Sequence, residues 1–430
     1  AGSLRAAVAS AADGDTVDLT HLSCSRITLT SGRIATSHAL LLIGPGSARL
    51  TIDGNGTDRI FEEDANVELA LYFLSVANGY SYSRGGCISS AGPLLLDGVT
   101  VSGCRVISST GIQRYEGGGV FAEADLSLIS TQIVGNEVYS PLGIAFGGGV
   151  SARGELILQE STITTNVAHS GVTNGHVAAG GAYVRGNFVA KYSIVSNNTA
   201  ASPFVAEHDE AVTGVGGGLG GGVTCGGTAT VRYSTISGNA AGYMGGLAIF
   251  GNAATSSSLL LDSTVTGNHA TQGSVGGVFS LTPITIANST IAFNTETNSL
   301  GAGLYEGNYA ADLESTIIAD NGGGSPPLDI GANGMASFTG ANNLVMRTGT
   351  AAVPADTLHG DPHLLPLADN GGMTRVHALA ADSIAIGSGN NVQSVAFDQR
   401  GYTFARIVGA VADIGAFEFN PDQIFASGFQ

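Results

Sequence analysis

One motif recurs through most of this sequence and constrains its fold more than any other feature. It consists of Ser or Thr residues, a β-branched residue, a short spacer and an asparagine. Successive asparagines are 30, 31, 42, 29 and 26 residues apart, and they are Asn136, Asn166, Asn197, Asn239, Asn268 and Asn294. Repeats of about 20–50 residues are typical of solenoids, propellers and related arrays. The chain is therefore expected to consist of similar structural units in succession.

Short apolar segments between the asparagines predict β-strands. Segments such as 156–158, 259–261 and 284–286 are mostly aliphatic, and they are too short for an amphipathic helix. A propeller blade needs about 40 residues, whereas most of these repeats are shorter. We therefore predict an all-β protein, a right-handed parallel β-helix (solenoid) with a short N-terminal helical cap and a C-terminal cap.

Glycine clusters precede the motifs, as in residues 117–119, 147–149 and 180–181. In a β-helix, equivalent positions of successive coils lie about 4.8 Å apart, so identical side chains form ladders. Asparagine tolerates the left-handed backbone, and glycine fits corners that have no room for a Cβ atom. Aligned glycines also occur in phosphate-binding loops, but no cluster here precedes a Lys-Ser or Lys-Thr pair. We interpret the asparagines as a structural ladder and the glycines as corners.

Composition narrows the range of partners. Of the 430 residues, 65 are glycine, and 34 Asp and Glu outnumber 16 Lys and Arg, which gives a net charge of −18. A chain this acidic lacks the basic surface that nucleic acid binding requires. Its apolar runs are far shorter than the roughly 20 residues of a membrane helix. We predict no nucleic acid partner and no membrane span.

The four cysteines fit one or two disulfides in an oxidising compartment. Cys87 and Cys104 fall in one coil, at the third glycine position and at the asparagine position of the repeat. Different positions of one coil are generally too far apart for a bridge, unless they face each other across a corner. The sequence therefore leaves the pairing open.

The two ends of the chain are predicted to close the solenoid core. Ser3 is placed to cap a short helix with Leu4, Val8 and Ala11 on one face. The expected organisation is an N-terminal cap over residues 1–20, β-helix coils over 21–324, C-terminal coils and a cap over 325–420, and a tail over 421–430.

Several motifs resemble known bacterial families. The opening Gly-Ser-Leu-Arg-Ala-Ala resembles the start of secreted right-handed β-helix proteins, and the repeats resemble those of chlamydial polymorphic outer-membrane proteins, with Ile236 in place of the usual Phe. Segments 361–364, 367–374, 398–401 and 413–418 are similar to the choice-of-anchor Q domain. The usual Ser-Pro-Ala-Ile of that domain is Ser-Ile-Ala-Ile at residues 383–386.

These resemblances imply an exported protein of a Gram-negative bacterium, secreted, on the cell surface or on outer-membrane vesicles. From the long, rigid face of the solenoid and its repeated polar residues we predict a non-enzymatic structural, adhesive or recognition role, with cell-surface glycans or proteins as partners. Residues 424–430 resemble a short Phe-x-x-Gly-Phe-Glu ending of exported proteins. That ending is a sorting tag or a plain chain terminus.

A polysaccharide-active lyase or glycoside hydrolase is the alternative, with a site near an insertion at residues 202–216. Glycoside hydrolysis usually needs two carboxylates, and the hydrolases that resemble this fold carry an Asp-Asp pair that is absent here. Because Lys191 is the only lysine, Arg153 or Arg185 would have to abstract the proton in a lyase. We expect a protein that is not an enzyme.

Two acidic stretches are candidate ligand or metal sites. The insertion holds Glu207, His208, Asp209 and Glu210, which predict a divalent-cation or ligand site or else a solvated loop tip. Asp53, Asn55 and Asp58 have the alternating oxygen ligands of a calcium loop but lack its Gly at the sixth position and its Glu at the twelfth. Calcium is the only cofactor that the sequence suggests. His359 and His363 are interpreted as structural.

Overall fold

A computed structural model describes residues 2–107, 114–172, 176–203, 215–216, 218–251, 256–298, 300–334 and 336–422. The chain forms two compact units. Unit 1 comprises Ala1–Val189, Val195–Gly227 and Asn239–Gly242, and unit 2 comprises Ala190–Ile194, Thr228–Gly238 and Tyr243–Gln430.

The described residues of these units form one helix and a long series of short strands. Helix α1 spans Leu4–Ser10, and the strands are β1 (Asp15–Asp18), β2 (Arg26–Thr28), β3 (Ile34–Thr36), β4 (Leu40–Ile43), β5 (Thr51–Asp53), β6 (Phe61–Glu63), β7 (Leu69–Tyr72), β8 (Ser75–Ala77), β9 (Tyr80–Ser81), β10 (Ile88–Ser90), β11 (Leu94–Asp97), β12 (Thr100–Ser102), β13 (Arg105–Ile107), β14 (Arg114–Glu116), β15 (Val120–Ala122), β16 (Leu126–Ile129), β17 (Gln132–Val134), β18 (Glu137–Ser140), β19 (Ile144–Phe146), β20 (Val150–Ala152), β21 (Leu156–Gln159), β22 (Thr162–Thr164), β23 (Val167–Ser170), β24 (Val177–Ala178), β25 (Ala182–Val184), β26 (Phe188–Lys191), β27 (Ile194–Ser196), β28 (Thr199–Pro203), β29 (Val215–Gly216), β30 (Gly218–Leu219), β31 (Val223–Cys225), β32 (Ala229–Arg232), β33 (Thr235–Ser237), β34 (Ala240–Ala241), β35 (Leu247–Ile249), β36 (Ser258–Leu261), β37 (Thr264–Thr266), β38 (His269–Ala270), β39 (Val278–Ser280), β40 (Ile284–Ala287), β41 (Thr290–Ala292), β42 (Leu304–Glu306), β43 (Ala310–Glu314), β44 (Ile317–Ala319), β45 (Ile330–Ala332), β46 (Ser337–Ala341) and β47 (Leu344–Val345).

Unit 1 is a parallel β-helix. Its sheet A has the order β1-β4-β7-β11-β16-β21, sheet B the order β2-β5-β8-β12-β17-β22, and sheet C the order β3-β6-β10-β15-β20-β25-β31. Two further sheets complete the later coils: sheet D with the order β34-β28-β23-β18-β13-β9 and sheet E with the order β14-β19-β24-β30. A complete coil therefore passes through sheets C, A, B, D and E in turn.

Unit 2 repeats the three main sheets. Sheet A′ has the order β32-β36-β40-β43-β46, sheet B′ the order β33-β37-β41-β44-β47, and sheet C′ the order β35-β39-β42-β45. The predicted fold class is confirmed: the protein is an all-β, right-handed parallel β-helix with one short N-terminal helix.

Stacked leucines show why these segments form strands of one sheet. In β16, Leu126 and Leu128 are buried and point into the coil, while the residues between and after them are half-buried. In sheet register Leu126 pairs with Leu94 on one side and Leu156 on the other. Each coil alone has no core, so stacking inward aliphatic residues provides the hydrophobic stabilisation.

Helix α1 begins as the sequence predicts. The Ser3 hydroxyl accepts a hydrogen bond from the Ala6 N–H at 3.1 Å, which is the N-cap interaction. Leu4 and Val8 are the buried residues of the helix, and the helix packs against β3. Ala11 lies at the C-cap.

In unit 1, the asparagine ladder runs through Asn136, Asn166, Asn198 and Asn239. The Nδ2 of Asn136 donates to Oδ1 of Asn166 at 3.0 Å, and that of Asn166 donates to Oδ1 of Asn198 at 2.9 Å. Each of these side chains also donates to a backbone carbonyl, as Asn166 does to Ile133 at 3.0 Å. In unit 2, Asn268, Asn294 and Asn321 are joined in the same way.

The prediction of Asn197 as a ladder residue is wrong by one position. Asn198 is buried and makes the ladder bonds, while Asn197 is exposed and adopts a left-handed conformation with φ 56°. The residue before each ladder asparagine generally takes this conformation, as Gly135 and Thr165 do. In this coil the turn residue is itself an asparagine, so the sequence motif was placed one residue early.

The glycine clusters form the corner between sheets E and C. A Cβ atom on Gly118 would lie 2.2 Å from the Gly148 carbonyl oxygen and 2.5 Å from the Glu137 carbonyl carbon. One on Gly119 would lie 3.0 Å from Cγ of Asn136. The backbone at this corner therefore packs closely against the asparagine ladder, and a side chain at these glycine positions would clash with neighbouring backbone atoms.

A disulfide joins Cys87 and Cys104, with a Cα–Cα distance of 5.5 Å. In sheet register Cys87 aligns with Gly119 of the next coil, and Cys104 aligns with Asn136 of that coil. The disulfide therefore lies where the next coil has the contact between glycine and asparagine. The two positions do face each other across the corner. Cys24 and Cys225 form no disulfide within the described residues.

We expect loss of this bridge to destabilise the fold. The bond closes a loop with a sequence separation of 17 residues, and a loop of this size contributes about 3 kcal/mol. Cys87→Ser with Cys104→Ser should lower the free energy of urea unfolding by about that amount. The matched Cys87→Gly with Cys104→Asn restores the pair used by other coils and should recover part of the loss. Titration of four thiols in the denatured, unreduced protein, instead of two, would contradict the bridge.

The C-terminal segment of unit 2 packs along the outer face of sheet B′. It has no strand after β47 among its described residues. Gln399 is buried, accepts a hydrogen bond from the Thr264 hydroxyl at 2.6 Å, and donates to the Thr235 hydroxyl at 3.0 Å. A hydrophobic cluster contains Ile317 of β44 and Phe417 of the C-terminal segment. The segment thus covers a sheet face.

Candidate functional site

The outer side of the corner between sheets E and C in unit 1 holds the most distinctive side-chain cluster. Because the backbone packs closely at the glycine corner, side chains that point outward from sheets E and C lie near one another there. We call the cluster the arginine notch, and it consists of Arg84, Arg114, Glu116, Phe121, Glu123, Phe146, Arg153 and Tyr183.

Glu116, at the end of β14, lies at the centre of the arginine notch and is fully buried. Its Oε2 is 3.5 Å from Nε of Arg84 and 3.3 Å from Nη2 of Arg153. Its Oε1 contacts Nε of Arg114 without the alignment of a hydrogen bond. A buried carboxylate requires such partners, because removing an unpaired charge from water is very costly.

Aromatic rings support the three guanidinium groups. The guanidinium of Arg114 lies 4.3 Å from the ring centre of Phe146 and 5.2 Å from that of Tyr183. Those two rings are stacked, with centres 4.7 Å apart and planes at 13°. Guanidinium planes stack on aromatic faces while their N–H edges remain free to donate.

Phe121 supports the other two arginines. The guanidinium groups of Arg84 and Arg153 lie 4.9 and 5.4 Å from its ring centre. Phe121 is only 3% exposed, so the arginines cover the ring. A ligand entering the arginine notch meets guanidinium groups at this point rather than a bare ring.

Glu123 is the second carboxylate of the arginine notch, and it lies at the surface. Its side chain is 40% exposed, is 3.4 Å from Nη1 of Arg84, and is bonded to Arg153. Beside it lies an open depression of about 300 Å³, which is also lined by Arg59, Phe121 and the acidic residues Glu62, Glu63 and Asp64. The depression extends the arginine notch toward the N-terminal coils of unit 1.

This arrangement is suited to binding more than to proton transfer. Arg153, one candidate base for a lyase reaction, is held by the carboxylates of Glu116 and Glu123, and a guanidinium so paired is a poor proton acceptor. Glu116 is fully enclosed, so it does not reach a substrate. Arg185, the other candidate, is exposed.

The structure places the predicted acidic insertion only in part. Glu207, His208, Asp209 and Glu210 lie outside the described residues. The flanking strands β28 and β29 are antiparallel, with Ser202 opposite Gly216, so the insertion starts and ends at paired strands. The predicted tail motif at 424–430 also lies outside the part of the chain that the structure describes.

Asp53 and Asp58 have protein partners. Asp53 forms an ion pair with Arg26 and accepts a hydrogen bond from the Asn55 N–H at 2.8 Å, while Asp58 accepts from the Arg59 N–H at 2.8 Å. Within the described residues, no group of three His, Cys, Asp or Glu side chains is arranged to hold a metal ion. Calcium binding therefore stays an untested prediction.

His359 and His363 have protein partners. Nδ1 of His359 lies 2.8 Å from the Val345 carbonyl oxygen. Nδ1 of His363 lies 3.1 Å from Oδ1 of Asp382, a hydrogen bond that raises the pKa of the imidazole.

A surface ion pair and a cavity lie outside the arginine notch. In sheet D, His169 lies 2.8 Å from Oε1 of Glu137 and lowers the pKa of that carboxyl, which is an ordinary surface pair. In unit 2, a cavity of about 500 Å³ is lined by Tyr305, Phe338 and small polar residues. It has no charged lining residue among those described.

Comparisons with known proteins address the fold. No protein-family model and no curated protein sequence matches the chain. A crystal structure of pectate lyase Pel9A aligns with 97% of this chain and 91% of that chain, at 13% sequence identity and a TM-score of 0.43. Likeness at this identity concerns the parallel β-helix alone. The resemblances to choice-of-anchor Q domains and to polymorphic outer-membrane proteins remain sequence-based expectations.

Sequence reasoning did not identify the arginine notch. Arg84, Arg114 and Glu116 each stand one to three residues before a glycine cluster. That placement was the available signal, since the glycines mark a corner and the chain has few basic residues. Recognising the site also required the register that brings Arg153 of a later coil onto Glu116.

Proposed function

We propose that this protein is a non-enzymatic recognition protein that acts outside the cell and binds its target through the arginine notch. The observation that supports this most strongly is the cluster of three ring-stacked arginines around one buried carboxylate. Burying Glu116 is costly unless the arginines are held in place, so the cluster is preorganised.

The β-helix supports a binding role in a second way. Stacked coils form a rigid framework, and the side chains of the arginine notch lie on strands or directly beside them. Rigid presentation of polar groups reduces the entropy lost on binding. Cell-surface glycans or proteins are the proposed partners. Secretion, surface display and outer-membrane vesicles are the proposed locations.

Among the described residues of the arginine notch, the carboxylates favour binding over catalysis. Glu116 is enclosed and Glu123 is bonded to Arg153, whereas a glycoside hydrolase needs one carboxylic acid and one free carboxylate at the scissile bond. No described observation favours the alternative of a polysaccharide-active enzyme.

A glycan and surface-protein binding panel tests the proposal. The double variant Arg84→Ala, Arg114→Ala should bind any wild-type target at least about 10-fold more weakly, which corresponds to about 1.4 kcal/mol. Arg105→Ala is the matched control, because Arg105 is an exposed arginine of sheet D in the same unit, and it should bind like the wild type. Unchanged binding by the double variant, or release of sugars from any polymer in the panel, would refute the proposal.

A further inference from the structure

We propose a second binding site, a cavity in unit 2 that takes a free neutral sugar of about two rings. The cavity has a volume of about 500 Å³ and lies beside β45, the last strand of sheet C′ that the structure describes. Sites for small molecules commonly have volumes of about 300–1,000 Å³. This inference goes beyond the proposed function, because it concerns another unit and a small soluble ligand.

Aromatic and aliphatic side chains form the apolar part of the cavity. Tyr305 is half-buried, and its ring is parallel to that of Phe279 in the preceding coil, with planes at 5° and centres 6.0 Å apart. Ile330 and Phe338 also line the cavity. A sugar ring has apolar C–H faces, so packing such a face on these side chains removes apolar surface from water.

Gly331 ends the row of rings. In sheet register, Gly331 stands where the two preceding coils have Tyr305 and Phe279. A Cβ atom on Gly331 would contact the Leu300 carbonyl oxygen and would lie 3.1 Å from Cδ2 of Tyr305. A side chain is therefore excluded at this position, and the cavity remains open beside the Tyr305 ring.

Neutral hydrogen-bonding groups form the polar part of the cavity. Asn333, Ser337, Thr348 and Thr350 are among its lining residues. Hydroxyl and amide side chains both donate and accept hydrogen bonds, as sugar hydroxyl groups do. Strand β45 adds backbone N–H and C=O groups, since no described strand pairs with its outer edge.

This combination of groups selects one class of ligand. None of the described lining residues is charged, so no ion pair would compensate a charged ligand for leaving water. A purely apolar ligand would bury hydroxyl and amide groups without giving them hydrogen bonds, which is unfavourable. A small neutral molecule with apolar faces and several hydroxyl groups meets both conditions, and sugars are the common class of this kind.

The expected affinity separates this site from the arginine notch. Two sugar rings bury little surface, so we expect a dissociation constant of about 0.1–1 mM. Such weak binding is measured with free sugars at millimolar concentration and is not detected in a panel of surface polymers and proteins at micromolar concentration. The Arg84→Ala, Arg114→Ala variant should bind free disaccharides like the wild type.

Saturation-transfer NMR titrations of the full chain test the inference. Cellobiose, maltose and N,N′-diacetylchitobiose are the neutral probes. Deacetylated chitobiose, which is a cation, and 1-octanol, which is apolar, are the comparison compounds. We expect at least one neutral disaccharide to bind at least about 10-fold more tightly than both comparison compounds. Tyr305→Leu should weaken its binding about 5-fold or more, and so should Ser337→Ala combined with Thr348→Val, which keeps the shape of the cavity.

Two control variants leave the cavity intact. Tyr243→Ala removes an exposed tyrosine of unit 2, and Thr339→Val removes a hydroxyl that donates to Asp312. Neither residue is among the described lining residues, so both variants should bind the disaccharide like the wild type. Far-ultraviolet circular dichroism of each variant confirms that it is folded.

Three results would overturn the inference and leave the proposed function intact. The first is that no neutral disaccharide binds at about 10 mM. The second is equal or tighter binding of deacetylated chitobiose or 1-octanol. The third is loss of disaccharide binding in the Arg84→Ala, Arg114→Ala variant together with unchanged binding by Tyr305→Leu, which would place the sugar in the arginine notch.

Discussion

Asn198→Ala should strongly destabilise unit 1, lowering the free energy of unfolding by at least about 3 kcal/mol. The Asn198 side chain donates to the Ile163 carbonyl at 3.0 Å and to Oδ1 of Asn239 at 2.9 Å, and it accepts from the N–H and the Nδ2 of Asn166. Alanine leaves several of these buried groups unpaired, and each is unfavourable by about 1–3 kcal/mol. Urea denaturation followed by circular dichroism measures the loss.

The neighbouring residue supplies the control for this experiment. Asn197 is exposed and takes the left-handed turn conformation, in which glycine is well tolerated. Asn197→Gly should therefore change the free energy of unfolding by less than about 1 kcal/mol. Equal losses at the two positions would mean that the ladder register described above is incorrect.

Unit 2 should become less stable as pH rises from about 4 to 8, because of Asp262. Burial raises the pKa of this carboxyl from 3.8 to about 8, even though Arg406 lies 4.0 Å away. A contact with the side chain of Asn288 also lowers this pKa, but by less than burial raises it. The native state thus holds a proton that the unfolded state releases above pH 4. This contribution to stability is complete below the unfolded pKa and disappears as pH rises through the native one.

Asp262→Asn isolates this effect. Each pH unit over which the two states differ by one proton changes stability by about 1.4 kcal/mol. Glu306 and Glu418 add a slope of the same sign, since burial raises the pKa of each to about 7, and they are present in both proteins. The difference between wild type and variant should therefore grow in favour of the variant between pH 5 and 8. Parallel pH profiles from thermal unfolding would exclude this role for Asp262.

The fold could be predicted from the sequence because its signal repeats. Ladder residues such as Asn136 and Asn166 recur at near-constant spacing, and each coil must satisfy the same constraint at the same position. The error at Asn197 shows the limit of the pattern: where turn and ladder residue are both asparagine, spacing cannot separate them. The left-handed backbone of Asn197 and the burial of Asn198 identify Asn198 as the ladder residue.

The candidate site could not be predicted in the same way. Glu116 and Arg153 are 37 residues apart, in different coils, and neither belongs to a repeated motif. Their contact depends on the register between coils and on how closely the backbone packs at the glycine corner. The disulfide between Cys87 and Cys104, which align with Gly119 and Asn136 of the next coil, depends on the same close packing of the backbone at the corner. The sequence left this pairing undecided.

Hydrogen–deuterium exchange with a bound target tests the central claim, that the arginine notch of unit 1 is the recognition surface. The protein is labelled with and without a saturating concentration of the glycan or surface protein that binds most tightly in the panel. The account predicts slower exchange in peptides covering residues 84–90, 114–123 and 144–153, and unchanged exchange in sheet D. Protection confined to other peptides, or no protection at saturation, would contradict it.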